Sequence, residues 1–415
     1  MSRPTRSLLQ ALAAFVAIIT LTNIGSATTR ERILFTFQGT LDGANPAAPL
    51  VADAKGNFYG TAANGCTYND GCVFQLSHPN GIWTQTVLYS FSGPDGATPT
   101  ASVILDSAGN VYGTTALGGA FNSGTAFELT PTDRGPWTET LLHSFGSGTD
   151  GYQPSEIAFS SSGDIYGTTQ FGGTASAGSD NGGTVYRLTF ADGAWTETLL
   201  YSFPGDFLGP NGDLPFGGLA IDHAGNLYGV TQAGGANGHG TVFTLARAAD
   251  GSFTERIIHS FHITDGDLPN STPVFDSAGN LYGTTYFGGN VNLCPSEGCG
   301  TIYELMKNSD GSWSEILLRE LQQEDGSEAI GPVVFDRDGN LYAAAQAGGA
   351  YSWGTILKLT PRTSAPWAET IVHDFTNNPD GASPSGILVD SSGSIFGTTG
   401  AGGSSQLGVI FEIAQ

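Results

Sequence analysis

A block of the form Gly-Asn-x-Tyr-Gly-Thr-Thr returns seven times along the chain, and no other feature constrains the fold as much. It stands at residues 56–62, 109–115, 163–169, 225–231, 279–285, 339–345 and 393–399. Its aromatic position is Tyr59, Tyr112, Tyr166, Tyr228, Tyr282, Tyr342 and Phe396, at intervals of 53 to 62 residues. Periods of this length belong to propellers, solenoids and arrays, where one repeat is one supersecondary unit that cannot bury its apolar face alone.

The second repeat shows what the unit is. Residues 83–91 alternate and are rich in β-formers, so they read as a strand. Residues 93–99 carry Gly, Pro and Asp turn chemistry. A short apolar strand at 102–105 then meets a tight turn at 106–110, where Gly109 can supply a positive φ. Residues 111–115 return as a strand, 118–124 form a Gly-rich loop, and 125–129 form the next strand before Trp137 opens the following unit. Four antiparallel strands per repeat and no helical period predict an all-β, seven-bladed β-propeller, a single domain over residues 28–415. The last repeat ends at residues 409–413 without its fourth strand, while residues 31–37 match 139–145 in residue type. The N-terminal strand is therefore expected to complete the last blade, and closure would remove the exposed sheet edges.

Residues 1–27 read as an export signal: Arg3 and Arg6, an apolar run from Leu8 to Ile24, then Gly25-Ser26-Ala27 as small residues for cleavage. The run is borderline for a spanning helix, so an uncleaved anchor is the alternative. No second apolar run follows it and the sequence ends at Gln415, so no transmembrane segment is expected after cleavage. The formal net charge of −24 argues against nucleic-acid and anionic-membrane partners, which need Lys and Arg neutralisation. A secreted, periplasmic or cell-surface monomer is expected. Four cysteines fall in two close pairs, Cys66 with Cys72 and Cys294 with Cys299, as expected for disulfides in an exported chain. A four-cysteine zinc site would need the first and fifth repeats to converge.

Several repeated columns read as structure. Trp83, Trp137, Trp195, Phe253, Trp313 and Trp367 share one position and suit an inter-blade core. Tyr89, His143, Tyr201, His259 and His373 share another with Phe35 and Arg319, a pattern of packing rather than catalysis. Glu31, Glu139, Glu197, Glu255, Glu315 and Glu369 are expected on a solvated face. Calling the strands a to d, with d the Trp-Thr-Glu-Thr strand, the b–c and d–a loops must emerge at one end of the propeller. All length variation and both cysteine pairs fall there, which marks the expected binding face. The d–a loop supplies Asp42, Asp95, Asp150, Asp265, Asp325 and Asp380, with Asn211 in the remaining blade. Six carboxylates on one rim offer oxygen ligands to Ca²⁺. Asp-Gly turn chemistry accounts for them without an ion, so no cofactor or metal is expected. The b–c loops add Tyr68, Phe121, Tyr351 and Trp353, which break the repeat and offer aromatic anchors. No Gly-x-Ser-x-Gly elbow, phosphate-cradling loop or His-Glu-x-x-His occurs, and no catalytic residue is assigned.

The run at residues 88–131 joins Leu-Tyr-Ser-Phe-x-Gly-x-Asp-Gly-x-x-Pro, Asp-x-x-Gly-Asn-x-Tyr-Gly-Thr-Thr and a Gly-Thr-x-Phe-Glu-Leu-Thr-Pro segment. It resembles the bacterial GloVer tandem repeat, and the resemblance extends over about residues 31–415. It implies an exported or surface-displayed bacterial propeller, often with a C-terminal anchor that is not seen before Gln415, and it carries no catalytic residues. The function expected is recognition or scaffolding, with a protein or glycan bound on the d–a/b–c face. The alternative is a polysaccharide hydrolase or lyase using acids in the central channel.

Overall fold

The computed structural model describes residues 30–132, 136–174, 182–292, 294 and 297–415; the expected signal segment 1–27 lies outside them. Each repeat is organised around its a–b turn. Asp106 Oδ1 accepts the N–H groups of Ala108 and Asn110 at 2.8 and 2.9 Å, and Oδ2 accepts Asn110 Nδ2 at 2.8 Å. Asp53, Asp222, Asp276 and Asp336 make the same three bonds. In these hairpins the motif tyrosine adds its hydroxyl to the same carboxylate, at 3.2 Å for Tyr59 and Tyr228. The aspartate is thus committed to its own hairpin, the usual behaviour of Asp in a turn.

The Gly-Thr-Thr of the block is explained by its neighbours. A Cβ on Gly113 would lie 2.7 Å from the Phe127 ring of the adjacent strand, so the glycine makes room for an aromatic. Blade 6 tests this internally: Ala343 replaces the glycine, and its cross-strand partner is Leu357 rather than Phe or Tyr. The first threonine links blades. Thr61, Thr114, Thr168 and Thr398 donate to the carbonyls of Ala101, Ser155, Gly217 and Ala48, each in the next blade, at 2.8–3.1 Å. The second links strands, with Thr115–Thr125, Thr169–Thr184, Thr231–Thr241 and Thr285–Thr301 hydroxyl pairs at 2.7–2.8 Å. All eight of these last hydroxyls are buried, where an unpaired one would be costly.

Seven antiparallel sheets result. Blade 2 holds Ile104–Leu105, Val111–Thr115, Thr125–Thr130 and Thr138–Ser144. Blade 7 holds Ala382–Val389, Ile395–Ala401 and Val409–Ala414, and its outer strand is the N-terminal Arg30–Thr36. That strand pairs antiparallel with Val409–Ala414 in register from Arg30↔Ala414 to Thr36↔Val409, with one irregularity between Ile33 and Phe35. The expected closure is present. Among the described residues there is no helix, and none long and apolar enough to cross a membrane.

Seven apolar clusters lie between blades, one per interface. The cluster between blades 7 and 1 joins Leu34, Phe37 and Ile410 to Leu50, Phe58 and Phe74. The repeated Trp/Phe column packs against six of these clusters as expected. The glutamate column is a correction. Glu31, Glu139, Glu197, Glu255, Glu315 and Glu369 each have an Oε1 closed off from solvent and without a hydrogen-bond partner. They sit at the blade interfaces rather than on a solvated face, because the outer strand of one blade leans over the d–a loop of the one before.

The glycine–aromatic fit gives a quantitative expectation. Gly113→Ala should cost about 1–3 kcal/mol by overpacking. Adding Phe127→Leu should recover part of that loss, as in blade 6, giving a favourable coupling in a double-mutant cycle of chemical denaturation. Strict additivity of the two changes would refute the account.

Candidate functional site

The d–a and b–c loops lie side by side at one end of the ring, through the bridges Ala44↔Asn64 and Ala97↔Leu117. The residue before the loop proline, or before Ala329 in blade 6, has a positive φ in all seven blades: Asn45, Thr98, Gln153, Leu214, Leu268, Glu328 and Ser383. Non-glycine residues rarely adopt this conformation. Here it turns the peptide N–H onto the b–c loop of the preceding blade. Thr98, Gln153, Leu214, Glu328, Ser383 and Asn45 donate to the carbonyls of Asp70, Ser123, Gly182, Cys299, Trp353 and Leu407 at 2.8–3.0 Å. Disulfides Cys66–Cys72 and Cys294–Cys299 close two of the b–c loops. The face is therefore built on pinned backbone.

The six predicted aspartates do not converge. Five of them cap their own d–a turn, and most of the six also reach the residue of the Tyr/His column on the preceding strand. Asp95 accepts Tyr89 Oη at 2.6 Å and Ser92 N–H at 2.8 Å. Asp150 pairs with His143 Nε2 at 3.0 Å and Gly146 N–H at 3.1 Å, and Asp380 with His373 Nε2 at 3.1 Å and Thr376 N–H at 3.0 Å. Asp42 accepts Gly39 N–H at 2.9 Å, Asp265 accepts His262 N–H at 2.7 Å, and Asp325 is bridged by Arg319. In the blade with Asn211, Asp213 takes the capping role and accepts Phe207 N–H at 2.8 Å. Burial alone would raise the Asp380 carboxyl, but the bonds from His373 and Thr376 outweigh it and hold it below its ordinary value. The polar column was read as packing; it is packing with a hydrogen-bonded latch.

Tyr68, Phe121, Tyr351 and Trp353 are exposed, at 61, 53, 58 and 44%. They do not fold down over the blade ends. The long d–a loop between blades 3 and 4 adds exposed Phe207 and Leu208. Inside this rim lies the channel mouth, and it is lopsided. The residue after the Thr-Thr pair is Gln170, Gln232, Tyr286 and Gln346 in blades 3 to 6, but Gly400, Ala63 and Ala116 in blades 7, 1 and 2. Gln170 Nε2 donates to Gln232 Oε1 at 3.3 Å, and Tyr286 Oη donates to Glu328 Oε2 at 2.7 Å. These residues were missed because they occupy variable columns of the repeat; superposing the seven repeats and comparing those columns would have found them.

Below the mouth is a cavity of about 230 Å³ lined mostly by Ala, Pro, Ser and Thr. Its single charged lining residue among the described residues is Glu156, two positions after the loop proline, where the other blades have Ala48, Ala101, Gly217, Ser271, Gly331 (after Ala329) and Gly386. Thr272 Oγ1 donates to Glu156 Oε2 at 2.5 Å and accepts Gly218 N–H at 2.6 Å. Burial raises the Glu156 carboxyl, against the bonds from Thr272 and the Ser102 N–H. The carboxyl is a strut joining blades 2 to 5. The paired carboxylates of glycoside hydrolysis are not present in this lining. A second cleft of about 550 Å³, between blades 1 and 2 at the opposite end, is walled by the repeated a–b turns around Asp53 and Asp106.

The family model described as the Gloeobacter/Verrucomicrobia repeat matches residues 17–205, 136–294 and 294–415. No curated protein matches the chain. Among solved structures, the extracellular domain of a protein from B. thetaiotaomicron described as a one-component system is similar, with TM-score 0.56 and 9% identity over 91% of this chain. The chain spans only 39% of that structure's length. A Bacteroides uniformis protein described as a 6-phosphogluconolactonase has TM-score 0.54 and 14% identity, covering 84% of this chain and 88% of its own. A puromycin-hydrolyzing peptidase of Mycobacterium tuberculosis has TM-score 0.51 and 14% identity, covering 87% of this chain and 50% of its own. At such identities these likenesses show the propeller fold alone.

The interface glutamates make stability depend on pH. Burial, then the charge of Asp95, pushes Glu139 up to about 7. Burial and Asp265 push Glu315 up to about 8. For Glu369, burial and Asp325 outweigh Arg319 and the result is about 7. The folded protein holds these protons more tightly than the unfolded chain. The stabilisation is complete below the ordinary value of 4.5 and is lost as pH rises through 7 to 8. His259, lowered by burial, acts oppositely in acid but is a single group. Thermal midpoints should fall between pH 5 and pH 8, and the triple variant Glu139→Gln, Glu315→Gln, Glu369→Gln should flatten that slope. An unchanged slope would remove the glutamates as its cause.

Proposed function

The chain belongs to the Gloeobacter/Verrucomicrobia repeat family, and we propose that it is an exported recognition or scaffold propeller that binds a glycan or protein on its d–a/b–c face. The observation that carries the reading is the placement, at one end, of both disulfides and of the exposed aromatics that break the repeat in the b–c loops. Exposed Tyr68, Phe121, Tyr351 and Trp353, both disulfides and the long loops share that end with the asymmetric mouth. Rigid aromatic anchors on pinned backbone bind at low ordering cost. The amide, phenol and carboxyl groups of Gln170, Gln232, Tyr286, Glu328 and Gln346 suit a hydroxyl-rich ligand, which favours a glycan over a protein. Export is supported by the disulfides and by the resemblance in fold to an extracellular domain.

A hydrolase or lyase reading receives less support, because Glu156 is alone in the channel lining and engaged by Thr272. The binding reading is tested on glycan and protein arrays, followed by titration of the hits. Tyr351→Ala with Trp353→Ala should weaken a genuine ligand by about 2 kcal/mol or more, the size of an anchor loss, while leaving the thermal midpoint unchanged. Turnover of a polysaccharide that Glu156→Gln abolishes would reverse the assignment.

A further inference from the structure

Six of the seven blade interfaces repeat one arrangement: a glutamate from the outer strand of one blade, the Tyr/His/Arg column of the blade before, and the acids of the loop between them. In two of them the histidine is already engaged, His143 with Asp150 at 3.0 Å and His373 with Asp380 at 3.1 Å. The interface between blades 5 and 6 shows what the slot accepts. Arg319 there places its guanidinium against both Asp325 and Glu369, so a cation bridges the two carboxylates.

The interface between blades 4 and 5 has the same carboxylates but no built-in cation. His259 comes from strand Phe253–Ser260, Asp265 from the following loop, and Glu315 from strand Trp313–Glu320. One ligand atom from each lies within 4.8 Å of the others. His259 Nε2 stands 3.8 Å from Asp265 Oδ2, too far for a hydrogen bond, and among the described residues Nε2 has no other partner although it is closed off from solvent. Glu315 Oε1 is likewise closed off and unpartnered. Two ligands held by a tetrahedral Zn²⁺ at its usual bond lengths are about 3.4 Å apart. The observed spacing reaches that by small side-chain rotations, whereas the two sister histidines would first have to break a good bond.

We propose that His259, Asp265 and Glu315 bind a first-row transition dication, with zinc as the type, across the seam between blades 4 and 5. One nitrogen and two oxygen donors leave a fourth position for water, as in three-ligand zinc sites. Ca²⁺ is the poorer fit, since it takes six to eight oxygens. Burial, against the charge of Asp265, lowers the His259 imidazole from its ordinary value, which favours the neutral form that ligates. Protons on Glu315 and His259 compete with the ion, so affinity rises with pH. The ion would staple two blades where Arg319 staples the next pair.

Sequence spacing hid this site, because the ligands come from two blades and each belongs to a repeated column. The same repetition supplies safe variants. Phe35 and Gln85 occupy the equivalents of His259 and Glu315 at the interface of blades 7 and 1, so His259→Phe and Glu315→Gln place residues the fold already accepts. The test is calorimetric titration of the chelator-treated whole protein with zinc chloride at pH 8 and pH 6. Cobalt absorption and thermal melts accompany it. The expected result is one ion per chain, weaker binding at pH 6, a higher thermal midpoint with zinc, and cobalt bands of tetrahedral intensity. Each variant should weaken binding on the order of tenfold or more by removing a ligand, while His143→Phe should leave it unchanged. Absence of binding at pH 8, binding that survives both variants together, or calcium displacing zinc would overturn the proposal.

Discussion

The face-to-face contact between neighbouring sheets is the constraint on which the rest of the structure depends. A four-stranded blade buries little by itself. Its apolar residues are covered only when the next blade supplies the other half, and the seven clusters are all of this shared kind. A side chain such as Phe74 or Phe127 contributes roughly 1.5–3 kcal/mol when fully buried, and each is completely buried at such a junction. The geometry of the junction then dictates local chemistry. It demands glycine opposite the ring at Gly113, a hydroxyl at Thr114 to reach the next blade, and a tight aspartate-capped hairpin to keep the strands in register.

This explains why so much of the architecture could be read from residues alone. The strand expected at 111–115 is the observed Val111–Thr115, and that expected at 125–129 differs by one residue from Thr125–Thr130. The closing strand expected at 31–37 is observed as Arg30–Thr36. Such elements announce themselves because the same packing problem is solved seven times. The glutamate column was misjudged for a related reason. A polar residue that alternates along an outer strand looks solvated until the tilt of the adjacent blade is known. Glu156 and the mouth residues Gln170, Tyr286 and Glu328 were missed because their significance lies in differing from their equivalents, which shows only when the seven repeats are compared column by column.

The molecule therefore divides its residues by whether they recur. Most recurring polar groups are consumed internally, the glutamate column excepted: Asp106 by its hairpin, Thr115 by Thr125, Asp150 by His143. Groups that do not recur are left facing the channel and the rim, as with Trp353, whose backbone carbonyl is held by the Ser383 N–H while its side chain stays exposed. The proposed recognition role needs no specialised domain. It needs a stiff ring whose variable columns open at one end.

The seam between Arg30–Thr36 and Val409–Ala414 has a temporal side as well. The two strands are the first and the last of the described chain to emerge during synthesis. Until the final segment is available, the opening strand has no partner and blade 7 cannot exist. An unpaired, partly apolar strand is an aggregation hazard while it waits, and pairing between distant segments is intrinsically slow. A nascent chain would thus carry an open ring with two complementary loose ends, and completion of the last blade would be the event that commits the whole molecule. Neighbouring nascent chains offer one another the same two complementary ends in the interval, so dilution or escort while the ring is open would govern how much of the product closes on itself.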